Sequence, residues 1–189
     1  MKKLIPLIAG LCALLALSAC GGSKATNATV SLGKLDDYFT VESYKLETDI
    51  ADKDLLHLDD VKGTLTLVLK RNKEEMKFKP SQVESASITG SVSSTSYYVF
   101  RGDCTANAKM LIKMEPGKKE TVVFNVRGID PGASWHSDEE NARDRQIHYD
   151  ALSKKGRLEE ITLDIDWEED LNESLQALKA LKEIVDDDD

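Results

Sequence analysis

One stretch near the carboxyl end of the chain alternates apolar and polar residues without a break, and it constrains the fold more than any other feature. Its residues run in the order Ile161, Thr162, Leu163, Asp164, Ile165, Asp166 and Trp167. A period of two places successive side chains on opposite faces, so the stretch is predicted to be a β-strand with one buried face. Such a strand needs further strands beside it before its apolar face is covered.

Several other parts of the chain carry the same signature. Period-two alternation recurs in the segments 64–70, 110–114 and 122–126, and residues 83–100, rich in Ser, Thr, Tyr and Val, supply one or two more strands. A turn sequence with Pro and Gly occupies residues 115–119. Turn residues between two alternating segments predict a hairpin that joins 110–114 to 122–126.

The segment 38–46 alternates with one interruption. Phe39 and Val41 share one parity, whereas Tyr44 and Leu46 share the other. A β-bulge between the two pairs would restore a common face, so a bulged strand is predicted. With at least six strands and polar outer faces, the chain is expected to be mainly β, an immunoglobulin-like β-sandwich with one inserted helix and a C-terminal amphipathic helix.

Both helices have sequence signals. Ser137 and Glu140 have the spacing of a capping box, which predicts a helix over residues 138–154. A second helix is predicted from Asp170, because apolar residues recur on one face. They are Leu171, Leu175, Leu178, Leu181 and Val185. This stripe is expected to pack on the open end of the sandwich, followed by an acidic tail at 186–189.

The beginning of the chain has the three parts of an export signal. Lys2 and Lys3 precede an apolar stretch of 14 residues, 4–17, and small residues lead to Cys20. An apolar core of this length is too short for a comfortable membrane span and is typical of a secretory signal peptide. Leu17-Ser18-Ala19-Cys20, followed by Gly21-Gly22-Ser23, resembles the lipobox of bacterial lipoproteins.

This resemblance extends over residues 1–23 and implies a covalent lipid. In that family the thiol of the cysteine, here Cys20, receives a diacylglyceryl group, residues 1–19 are removed, and the new amino terminus is often acylated with fatty acids such as palmitate. Two or three acyl chains hold a protein on a membrane. The resemblance therefore implies anchoring to the cell membrane or outer membrane, facing away from the cytoplasm. Residues 20–33 are predicted to be the lipidated terminus and a flexible tether, and 34–185 a single globular domain.

The charge of the chain excludes one class of partner. Without Lys2 and Lys3, 23 basic residues remain against 34 acidic ones, a net charge of −11 for residues 20–189. A surface this acidic repels phosphates, so no nucleic acid is expected as a partner. The chain has three cysteines, and Cys12 leaves with the signal. Cys104 is then the one thiol besides Cys20, so the domain is predicted to fold without an internal disulfide.

The Gly-x-Ser-x-Gly elbow, the phosphate-binding Gly-Lys-Ser/Thr loop and the His-Glu-x-x-His motif do not occur in the sequence. Cys104 is interpreted as a packed apolar residue, and the alternative is a nucleophilic pair with a histidine. The strongest chemical candidate is a helix face. Glu140, Asp144 and His148 fall at i, i+4 and i+8 of the predicted helix, with His136 and Asp150 nearby. Two carboxylates and an imidazole suit a divalent cation. The alternative interpretation is an ordinary helical pair of Asp144 with His148 on a solvated face.

Trp135 is a candidate binding residue. It lies in the long excursion 129–158 between two strands, where insertions often carry binding sites. An exposed indole there could stack on a sugar or anchor a protein partner. Alternatively, Trp135 packs the start of the helix against the core as a hydrophobic staple ahead of the Ser137 cap.

Two further motifs occur in the sequence. Arg101-Gly102-Asp103 is an adhesive tripeptide that a turn would display, and five aspartates between 49 and 60 invite a calcium interpretation without the spacing of a calcium loop. Neither feature adds a function class. The leading expectation is a non-enzymatic envelope lipoprotein that binds an envelope protein or extracellular ligand. The alternative is a metal-assisted hydrolase that uses Glu140, Asp144 and His148, with no other cofactor expected.

Overall fold

The computed structural model describes residues 28–92, 97–153 and 158–168, which contain seven strands and two α-helices. The strands are β1 (Thr29–Ser31), β2 (Phe39–Thr48), β3 (Lys62–Arg71), β4 (Val83–Ser91), β5 (Tyr98–Asp103), β6 (Lys119–Gly128) and β7 (Glu160–Trp167). The helices are α1 (Thr105–Ile112) and α2 (Asp138–Leu152), and short 3₁₀ turns lie between several of the strands. The molecule is therefore mainly β, as the alternation predicts.

The seven strands form one sheet in the order β1-β7-β4-β5-β6-β3-β2. β1 runs parallel to β7, and every other neighbouring pair is antiparallel. The sheet curls into a nearly closed, barrel-like arrangement, and the backbone N–H of Ala28, just before β1, donates to the hydroxyl of Tyr44 on β2 at 3.0 Å. The immunoglobulin-like sandwich is not confirmed, because these strands share one sheet and do not divide into two packed layers.

The core lies against the apolar face of the curled sheet. β3, β6 and β7 each contribute alternate side chains with no more than a few per cent exposure. They are Leu65, Leu67, Leu69, Val122, Phe124, Val126, Ile161, Leu163 and Ile165. The bulge predicted in the segment 38–46 is confirmed, since the register of β2 against β3 shifts between Val41 and Ser43.

Two predictions about local structure are wrong. Residues 105–112 form α1, not a strand, so the turn at 115–118 joins a helix to β6 and no hairpin forms there. The predicted tether 20–33 extends too far, because Thr29–Ser31 is a strand paired to β7 and Leu32 is fully buried. The second predicted helix, with its Leu171 to Val185 stripe, lies outside the described residues. Within the part of the chain that is described, no helix has the length and apolar content to cross a bilayer.

Candidate functional site

Helix α2 begins as the sequence predicts. The hydroxyl of Ser137 accepts a hydrogen bond from the backbone N–H of Glu140 at 3.2 Å, and the Glu140 carboxylate accepts from the N–H of Ser137 at 2.8 Å. This reciprocal capping box satisfies two donors that the first turn otherwise leaves free. Three acidic residues in the first turn also complement the positive end of the helix dipole. The capping box confirms the predicted start of the helix.

The loop between β6 and α2 is tied to the helix by side chains. Arg145 donates to both carboxylate oxygens of Asp130, at 2.9 and 3.2 Å. Asn141 makes two hydrogen bonds with the backbone of Ala133, one as donor at 3.0 Å and one as acceptor at 2.9 Å. Because a bidentate pair fixes both distance and orientation, these contacts set the position of α2 against the end of the sheet.

His148 lies on the buried face of α2, with 2% of its surface exposed. Its Nδ1 lies 3.0 Å from the carbonyl oxygen of Ile129. Since a carbonyl only accepts, Nδ1 carries the proton and Nε2 is the acceptor atom of the neutral ring. Burial lowers the pKa of His148 below its usual 6.5, and the hydrogen bond to Ile129 with the charges of Asp144 and Asp130 offsets part of this effect. Nε2 is buried without a hydrogen-bond partner.

Asp144 lies one turn before His148 and is 4% exposed. Its carboxylate is 3.6 Å from Nδ1 of His136 and 3.7 Å from Nε of Arg143. Both distances allow electrostatic attraction and exceed that of a good hydrogen bond. The structure thus brings Asp144 and His148 together, as predicted, and places His136 beside Asp144 from the preceding loop.

A groove of about 390 Å³ opens beside these two residues. Its lining combines apolar side chains with charged and polar ones: Val92, Tyr97, Arg143, Asp144, Ile147 and His148. The ring of Tyr97 meets that of His148 edge-on, with centroids 6.3 Å apart. A concave surface with apolar walls and a few convergent polar groups is the usual form of a ligand site.

The structure does not bring Glu140 into this site, although the sequence predicted it there. Its carboxylate is held by Ser137 in the capping box, and these hydrogen bonds lower its pKa. Among the described residues, no three His, Cys, Asp or Glu side chains are grouped so as to hold a metal ion. The predicted trio of Glu140, Asp144 and His148 is therefore not assembled, because its first member points to the helix start.

Trp135 is 82% exposed. The hydrophobic staple is therefore wrong, since a staple buries its side chain against the helix. The indole meets the ring of His136 edge-on, with centroids 5.9 Å apart. Through His136, which lies next to Asp144, Trp135 is connected to the groove by consecutive side-chain contacts. We call Trp135, His136 and the groove residues together the α2 surface.

Three other candidates occupy structural positions. Cys104 is buried, and burial, helped by the charge of Asp103, raises the pKa of its thiol to about 12, which removes the nucleophilic thiolate. The Arg101-Gly102-Asp103 tripeptide lies in β5 and not in a turn, so the predicted display is wrong. In the aspartate cluster, the Asp52 carboxylate accepts from the hydroxyl of Tyr149, and Asp49 accepts from the N–H of Lys62.

Four residues of the groove were not predicted as site residues from the sequence: Val92, Tyr97, Arg143 and Ile147. Ile147 carried a usable signal, since it is a large apolar residue on the otherwise polar side of α2, and it is exposed. Tyr97 carried none, because its place depends on how the end of β4 and the start of β5 approach α2. Comparisons of the chain with protein-family models, curated proteins and solved structures give no match.

Proposed function

We propose that this protein is a lipid-anchored cell-envelope lipoprotein whose β domain is a non-enzymatic binding module. The anchor is the diacylglyceryl-modified Cys20 implied by the lipobox, and the domain binds an envelope partner through the α2 surface. The observation that carries the proposal is the exposure of Trp135, 82%, next to a groove with apolar walls. Large aromatic side chains dominate the energetics of protein interfaces, and leaving one in water has a cost unless a partner covers it.

The surroundings of Trp135 support binding over catalysis. Asp144 and His148 are held in position by α2, whereas the thiol of Cys104, a candidate nucleophile, is buried with a raised pKa. The loop that carries Trp135 is fixed by the Asp130–Arg145 pair. A fixed loop presents its aromatic residue without the entropic cost of ordering it on binding.

The anchor is tested by metabolic labelling of the full chain in cells with an alkyne analogue of palmitate. Labelled protein is expected from the native sequence and from Cys12→Ser, which changes a cysteine inside the signal. Cys20→Ser is expected to carry no label, because the acceptor thiol is gone. Label that persists in Cys20→Ser would contradict the proposed anchor.

The binding surface is tested by photo-crosslinking in intact cells. A photoreactive amino acid replaces Trp135 in one variant and Val123 in a matched control; Val123 is 49% exposed on the outer face of β6. We expect a discrete adduct from position 135 and none from position 123. Trp135→Ala should change the free energy of unfolding by less than about 0.5 kcal/mol, so a loss of binding would not reflect unfolding. Identical adducts from both positions, or none from position 135, would contradict the proposal.

A further inference from the structure

The groove beside α2 is lined by a residue with a buried hydrogen-bond acceptor that has no partner. His148 Nε2 is an acceptor, because Nδ1 carries the ring proton and donates it in a hydrogen bond to the carbonyl of Ile129, and Nε2 has no hydrogen-bond partner. The Asp144 carboxylate lies 3.6 Å from Nδ1 of His136 and 3.7 Å from Nε of Arg143, longer than good hydrogen bonds. Buried polar groups are normally hydrogen-bonded, and each exception calls for an explanation. An unpaired acceptor and a nearly buried carboxylate that line one groove point to a ligand that donates.

The two acceptors are within reach of a single donor group. Asp144 and His148 are four residues apart on α2, so their side chains are neighbours, with Cβ atoms about 6 Å apart. Both residues line the groove, and both are almost fully buried. A primary ammonium has three N–H donors and one positive charge, which matches a carboxylate and a neutral imidazole together.

The apolar walls fit the remainder of such a ligand. Tyr97 offers a ring that attracts a cation, and Ile147 and Val92 offer contact for a hydrocarbon stem. Arg143 is the one cationic side chain in the lining, and its side chain is 71% exposed. An exposed arm of this kind can turn into solvent at small cost, so it does not close the site to a cation.

We propose that the groove takes the side-chain ammonium of a lysine on the partner protein, with Asp144 and His148 Nε2 as its acceptors. This inference rests on the proposed function and specifies how the α2 surface recognises its partner. A protein fits better than an aminophospholipid headgroup, because the headgroup carries a phosphate that the net charge of −11 repels, and because Trp135 lies beside the groove. The interaction combines a charge-assisted hydrogen bond with burial of the lysine stem.

The test is a titration of the full chain in neutral detergent micelles at pH 7.5, followed through the Cε1–H signals of histidines labelled with ¹³C. The chain has three histidines, so the signals are assigned by single substitutions. The probe is n-butylamine, protonated at this pH, and the expected result is a saturable shift of the His148 signal. Tetramethylammonium has the charge without N–H donors, and n-butanol has the stem without the charge. Equal shifts from either control would overturn the proposal.

Matched variants locate the site. Asp144→Asn should weaken butylamine binding by about tenfold or more, since a hydrogen bond to a charged group is lost. Glu139→Gln makes the same change in net charge at an exposed position of α2 outside the groove, and its affinity should equal that of the native chain. Equal weakening in both variants would reduce the effect to general charge and overturn the assigned acceptors.

Two further arms separate the alternatives. In bilayer discs without butylamine, a His148 shift that appears only with phosphatidylethanolamine would identify a lipid headgroup and overturn the lysine assignment. Crosslinking from position 135 is repeated in parallel in cells. Adducts that form while the butylamine titration fails would overturn this inference alone. If position 135 gives no adducts in a chain that is otherwise native, both this inference and the proposed function are overturned.

Discussion

His148 on α2 donates through Nδ1 to the carbonyl oxygen of Ile129, 3.0 Å away, at the residue that directly follows β6. This contact joins the helix to the end of the sheet and determines that Nε2 is the acceptor nitrogen of the neutral ring. The same burial that leaves Nε2 without a partner favours the neutral ring. His148 therefore helps to position α2, has a lowered pKa, and supplies an acceptor nitrogen next to the groove.

The buried imidazole predicts a loss of stability in mild acid. The folded pKa of His148 is below 6.5, its usual value, so between these two values the unfolded chain binds the extra proton. Stability is then fully present above about pH 6.5 and falls as the pH drops toward the folded pKa. Urea unfolding at pH 8.0 and 5.5 should show a smaller free energy at pH 5.5. His148→Gln should flatten this dependence, whereas His57→Gln, at an exposed residue, should retain it.

The Asp130–Arg145 pair predicts a local loss of stability. Arg145→Met keeps the stem and removes both hydrogen bonds to Asp130, with an expected cost of about 1–3 kcal/mol. Arg143→Met on the same helix removes an exposed guanidinium and should cost less than about 1 kcal/mol. Chemical unfolding of the two variants measures the difference. Equal costs would contradict a positioning role for Arg145.

The same pair has a pH signature of its own. Burial acts to raise the pKa of Asp130, but the hydrogen bonds from Arg145 and from the N–H of Gly132 outweigh it and hold the pKa below 3.8. Because the folded pKa is depressed, this stability is present above about pH 3.8 and disappears as the pH falls through the folded value. The difference in the free energy of unfolding between the native protein and Arg145→Met should therefore shrink as the pH falls through that range.

Cys104 is predicted to be unreactive in the folded protein. Its thiol is buried and its pKa is raised to about 12, so little thiolate exists at pH 8. Peptide mapping after iodoacetamide treatment should show slow labelling of Cys104 in native protein and rapid labelling in urea. Complete labelling within minutes under native conditions would mean that the thiol is accessible.

Gly90 is predicted to tolerate no side chain. A Cβ atom there would overlap the ring of Phe100 on the neighbouring strand, and Phe100 is fully buried and cannot move away. Gly90→Ala should cost about 3 kcal/mol or more in the free energy of unfolding. Gly117→Ala is the control: its φ of +81° disfavours alanine by about 1–2 kcal/mol, but nothing lies near the added methyl group. Thermal unfolding that ranked the two variants the other way would contradict this packing.

The strands and the start of α2 were predictable because their signals are local. The alternation of residues 161–167 and the parity change between Val41 and Tyr44 correspond to β7 and to the bulge in β2. The prediction of a strand at 110–114 was wrong, because apolar residues two apart also occur in helices. The buried residues Cys104, Ala108, Leu111 and Ile112 have the helical spacing, which identifies α1.

The arrangement of the strands was not predictable from such patterns. Alternation shows that a strand has a buried face, but it does not show which strand lies beside it, so one curled sheet and two packed sheets give the same pattern. The candidate site likewise has a part that was predictable from the sequence and a part that was not. The spacing of Asp144 and His148 on one helix face was sufficient to predict their proximity, whereas Tyr97 reaches them through the chain fold.

β1 gives the molecule a mechanical property that its place in the sheet determines. The strand has three residues, pairs with β7 alone, and precedes every other described strand in the chain. If the protein is tethered through Cys20, tension on the chain reaches these three residue pairs before it reaches the long ladders of β2, β3 and β6. Under load β1 would detach first, which would lengthen the tether while the rest of the sheet stays intact.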